Sequence, residues 1–113
     1  MMADLDPVPT YTVRIHKLDA TLAELHIEFA HLSADVEVHG RLIGPRWPGV
    51  STVEVAYKLR KRGESPTYQV LIPEPTLWSE DRPCVYEGPV EFWRDGQLLG
   101  GITVSVGIRP APS

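Results

Sequence analysis

The sequence predicts an all-β domain in which seven short strands form two antiparallel sheets packed as a sandwich. Three observations lead there. Apolar and polar residues alternate with a period of two over most of the chain, the pattern of strands buried on one face. The 113 residues include 11 prolines and 9 glycines, a share above the usual ~12%, and these residues punctuate turns. The strand-like runs are short and follow one another through turns, with no helical crossover to make a parallel sheet.

In chain order, residues 1–9 read as a lead-in, because Pro7 and Pro9 lack backbone donors and Asp4 and Asp6 prefer water. Thr10 to His16 alternates, with Tyr11, Val13 and Ile15 on one face. Residues 18–32 admit two readings. Leu18, Leu22, Leu25, Phe29 and Leu32 fall at helical spacing, and Thr21 with Glu24 would suit a capping box. A helix sets Ile27 off the stripe of Leu25 and Phe29, whereas a strand over 22–30 accounts for all three, so a strand is expected. Asp35 to Ile43 alternates again, and Gly44 to Gly49 is a loop by its prolines and glycines. Val53 to Leu59 and Thr67 to Ile72 are the next strands, with a turn over Gly63 to Pro66 between them. Pro73 and Pro75 end the second. Leu77 to Tyr86 is then expected to carry the chain from one sheet to the other. Val85 to Trp93 and a final strand flank Arg94-Asp95-Gly96-Gln97, and Asp-Gly between apolar runs is a strong hairpin signal. In the final strand Leu98, Gly100, Ile102, Val104, Val106 and Ile108 are expected on one face. The division is therefore a lead-in at 1–9, a sandwich at 10–109 and a tail at 110–113.

The crossing has its own chemistry. Trp78 is large enough to cap the open end of a sandwich, where its burial contributes ~2–3 kcal/mol. Tyr86 can bury its ring and satisfy its hydroxyl on the backbone of the crossing. Leu77-Trp78-Ser79-Glu80-Asp81-Arg82-Pro83-Cys84-Val85-Tyr86 resembles the Leu-Trp-Ser-Pro-Glu-x-Pro-x-Leu-Tyr segment of the immunoglobulin-like domain in family-two glycoside hydrolases, the β-galactosidases, β-glucuronidases and β-mannosidases. Val106-Gly107-Ile108-Arg109 resembles the Val-Gly-Phe/Ile-Arg that closes that domain. Glu80 departs from the family's proline and Cys84 from its frequent aromatic. The resemblance implies a seven-stranded immunoglobulin-like β-sandwich. It also implies that catalysis belongs to a TIM barrel that follows in those enzymes, so no catalytic residue transfers to this chain.

Candidate sites are few. The formal charge of −4 argues against nucleic acid or an anionic membrane as the partner. Lys58, Arg60, Lys61 and Arg62 read as a solvated turn. His16, His26, His31 and His39 lack a zinc-ligand spacing and are expected to face solvent, so no metal or cofactor is expected. Glu24 and Glu28 read as two rungs of one solvated face rather than a glycosidase pair. Cys84, the only cysteine, suits packing; it permits no intrachain disulfide. With no signal peptide at the N-terminus, the expected location is cytoplasmic. Trp47, in a Pro/Gly loop, is the one candidate contact for a ligand or partner.

The expected function is that of a non-enzymatic structural or protein-interaction module, with self-association through an edge such as Thr10–His16; the alternatives are a carbohydrate-binding module using Trp47 and an inert piece of a larger glycosidase.

Overall fold

The computed structural model describes residues 8–49, 53–63 and 66–109. Parts of the lead-in and all of the 110–113 tail lie outside them. Eight strands run in order: β1 (Thr10–Leu18), β2 (Leu22–Ala30), β3 (Glu37–Arg46), β4 (Val55–Lys58), β5 (Arg60–Lys61), β6 (Thr67–Pro73), β7 (Val85–Arg94) and β8 (Gln97–Val106). They form two four-stranded sheets, β1-β2-β6-β5 and β4-β3-β7-β8, with every pairing antiparallel. This is the sandwich the alternation predicts, and residues 22–30 are a strand.

The eighth strand comes from a change of sheet. The run Val53–Leu59 was expected to be one strand. Instead β4 pairs with β3 in one sheet and β5 pairs with β6 in the other. Leu59, the single residue between them, is buried in the core, and its N–H donates to Gly40 O at 3.0 Å. The basic run is split by the same step, since Lys58 lies on β4 and Arg60 on β5. β3 also reaches further than expected, to Arg46, through an irregular pairing between Ile43 and Arg46 and a cis Gly44–Pro45 bond.

The core is filled from both inner faces. Leu25, Ile27 and Phe29 of β2 and Val70 and Ile72 of β6 meet Leu42 of β3, Val90 and Phe92 of β7, and Val104 of β8. Phe29 bridges the layers, edge-on to Tyr68 of its own sheet and to Phe92 of the other, both at 5.6 Å. At an open side Tyr11 Oη accepts from Ser105 N–H at 3.3 Å, tying β1 to β8.

The β7–β8 hairpin turns through Asp95 (φ 50°) and Gly96 (φ 75°), the paired positive φ angles of a type I′ turn. The expected phase of β8 fails at its start. Phe92 pairs with Gly100 but Trp93 with Leu98, so Leu99 is an extra residue. This bulge turns Leu99 inward, 8% exposed, and leaves Leu98 outside at 47%. Beyond it, Val104 and Ile108 face inward as expected.

Candidate functional site

The crossing between β6 and β7 is held from inside. Tyr86 is buried on β7, and its hydroxyl accepts from Thr76 N–H at 3.0 Å. This spends the phenol's polarity on a backbone donor that the chain leaves unpaired as it exits the sheet. Cys84 is buried beside it, its Sγ 3.4 Å from Leu77 O. Trp78 is half-buried rather than a full plug of the sandwich end. Its N–H donates to Ile108 O at 2.8 Å, and the Arg109 guanidinium lies 3.8 Å from its ring centroid, within cation–π range. Its indole lies so close to Gly107 that a Cβ there would stand 2.9 Å from Trp78 Cδ1. The two segments that carry the family resemblance are thus in direct contact: the indole of the first rests on the Gly and Arg of the second.

Trp47 lies just past β3, half-buried, with the Arg82 guanidinium 5.6 Å from its ring centroid. It therefore abuts the crossing rather than standing free in its loop.

A cleft of about 790 Å³ opens between edge strand β1 and the crossing, lined among others by Val13, Ile15, Pro75, Leu77 and Arg109. Ile15 and Leu77 are 37% and 39% exposed. Its one carboxylate, Asp19, accepts from the N–H and hydroxyl of Thr21 and from Leu22 N–H. The Thr21 hydroxyl bond, with the two backbone bonds, holds the Asp19 carboxyl below its usual range. A glycoside hydrolase needs a second carboxyl across the cleft and a proton on one of the pair. Among the described residues this cleft has no second carboxyl, and Asp19 is tuned to stay ionised. β1 itself is an edge, but a bulge between Ile15 and Lys17 and the charges of Arg14 and Lys17 blunt it against strand addition.

One of the four histidines parts from expectation. His16, His31 and His39 are exposed as expected, but His26 is 4% exposed on the outer face of its sheet. His26 Nε2 lies 2.7 Å from Glu24 Oε2, and the His16 ring stacks on it at 4.3 Å and 14°. The bulge in β1 brings His16 there, a contact that no spacing in one strand could reveal. Glu24 also takes a hydrogen bond from Gln69. The His26 bond, then the Gln69 bond, holds its carboxyl below the usual range. Glu28, its supposed companion, pairs instead with Arg14 at 2.7 Å.

Comparison with known proteins settles the lineage. The family model for Glycosyl hydrolases family 2 matches residues 8–109. The chain belongs to that family. Among solved structures, a β-glycosidase from Bacteroides vulgatus superposes with a TM-score of 0.60 at 20% identity, over 87% of this chain and 12% of that one. At that identity the likeness is one of fold. The chain thus spans about an eighth of that enzyme's length. No curated protein sequence matches. No helix of the described residues is long and apolar enough to cross a membrane.

Proposed function

We propose that this family-two sandwich is a non-catalytic module that packs against a protein surface through the crossing end, where the cleft, Leu77 and Ile15 present apolar area. The observation that carries the reading is the cleft's chemistry: a mostly apolar lining edged by the cations Lys17 and Arg109, with, among the described residues, a single carboxylate already committed to three local donors. That suits burial against a neighbour and does not suit hydrolysis. The family supports it, since its match runs the length of the sandwich, and the structural likeness takes in only 12% of the β-glycosidase from Bacteroides vulgatus. Trp47 belongs to the same surface reading, as an anchor beside Arg82.

The test has two arms. Purified protein is incubated with a panel of aryl glycosides, and tryptophan emission is followed during titration with sugars to millimolar concentration. Neither turnover nor a saturable emission change is expected. Turnover that Asp19→Asn abolishes, or saturable sugar binding that Trp47→Ala removes, overturns the proposal. In the second arm, light scattering over a concentration series tests a second copy as the neighbour. Association that Leu77→Asp weakens supports the crossing end as the contact, and association untouched by it counts against that surface.

A further inference from the structure

We propose that His16, Glu24 and His26 form a binding site for a divalent transition-metal ion of the zinc class, on the outer face of the β1-β2-β6-β5 sheet. One ligand atom from each of the three lies within 4.8 Å of the other two. Two imidazoles and a carboxylate are a ligand set that zinc takes at ~2.0–2.2 Å, with a fourth position left open. In a tetrahedral site such donors stand roughly 3.3 Å apart. Glu24 Oε2 is already 2.7 Å from His26 Nε2 and 3.9 Å from His16 Nε2. Glu24 and His26 must part by roughly 0.6 Å, and the larger adjustment falls on His16, the most exposed of the three. Its side chain is 49% exposed and it sits on the bulge, so its ring can tilt until the two Nε2 lone pairs converge.

The contacts of His26 give a second, independent argument. Its Nε2 faces the Glu24 carboxylate at 2.7 Å, which calls for a proton on that nitrogen. The same nitrogen faces Arg62 Nη1, a permanent donor, at 3.3 Å, which calls for a lone pair. One nitrogen cannot serve both at once. A metal ion in place of the proton removes the conflict: Nε2 and Glu24 both become ligands, and the exposed Arg62 turns out to solvent. Gln69, bonded to Glu24, then orients the coordinating carboxylate from the next strand.

The protein, freed of metal with a chelator, is titrated with Co²⁺ and then Zn²⁺, reading the visible d–d bands of cobalt and the heat of zinc binding. One equivalent is expected, with zinc displacing cobalt. His16→Gln, at a half-exposed position that leaves the core untouched, should lower affinity by at least ~10-fold, with an unchanged circular dichroism spectrum. Arg62→Ala should raise affinity several-fold by removing the competing cation, and His39→Gln should leave it unchanged. Absence of d–d bands in the folded protein, or full binding in folded His16→Gln, overturns the site.

Discussion

The sequence writes the same tripeptide pattern, Glu-x-His, on a central strand of each sheet, and the two copies end in different states. In β2, Glu24 and His26 lie 2.7 Å apart, with side chains 13% and 5% exposed. In β3, Glu37 and His39 lie 3.3 Å apart, with side chains 73% and 55% exposed. Local propensity is the same, so the difference comes from across the strands. His26 is roofed by His16, delivered by the β1 bulge. His39 has an edge-on Trp93 at 6.4 Å and no such roof, and it stays exposed. Burial of the polar pair thus goes with one inserted residue on a neighbouring strand, and part of its cost is met by added partners: Gln69 for the carboxylate and the stacked His16 ring for the imidazole.

The largest test of that contrast is truncation of each imidazole. His26→Ala removes a buried ring, a hydrogen bond to Glu24 and the stack on His16, and should cost about 2 kcal/mol. His39→Ala removes an exposed pair and should stay within about 0.5 kcal/mol. Urea unfolding of both variants with unchanged m-values measures the pair of effects. Equal losses would show that burial of the first histidine contributes nothing to stability.

Deletion of His16 comes next. It removes the bulged residue and leaves Ile15↔Leu25 and Lys17↔Glu24 as consecutive rungs of a regular ladder. The sandwich should still fold, at a cost of about 1 kcal/mol. The ring protons of His26 should shift as the stacked imidazole is lost and water gains access, so that His26 comes to resemble His39 by nuclear magnetic resonance. A His26 spectrum unmoved by the deletion would mean that the bulge is not what separates the two sites.

How much of this was legible beforehand follows the range of the interaction. Strand identity and inner faces came from alternation, which is local, and even residues 22–30 yielded once Ile27 had to be accommodated beside Leu25 and Phe29. Tyr86 was legible because a phenol entering a core must satisfy its hydroxyl nearby. The sheet change at Leu59 was hidden, because a one-residue crossover leaves the alternation of Val55, Tyr57 and Leu59 intact. The bulges at His16 and Leu99 were hidden for a related reason: each is a property of a pairing, and either strand read alone looks regular. The burial of His26 inherits that blindness. Trp47 was legible as an unusual loop residue, but its Arg82 neighbour comes from the crossing, 35 residues away in sequence.

The smallest effect sharpens the comparison through pH. Hydrogen bonding holds the folded-state pKa of Glu24 below 4.5, the reference value for an unfolded chain. A carboxyl with a depressed folded pKa contributes stability that is fully present above the unfolded value and is lost as pH falls through the folded one. Glu24→Gln should therefore flatten the fall in stability with acid in the window below about 4.5, while stability near neutrality changes less than in His26→Ala because glutamine retains an acceptor for the His26 and Gln69 donors. Unfolding midpoints measured at intervals between neutrality and mild acid, for wild type and Glu24→Gln, give the difference directly. Parallel curves would mean that Glu24 titrates alike folded and unfolded, and the buried pair would then be electrostatically no different from the open one on the opposite sheet.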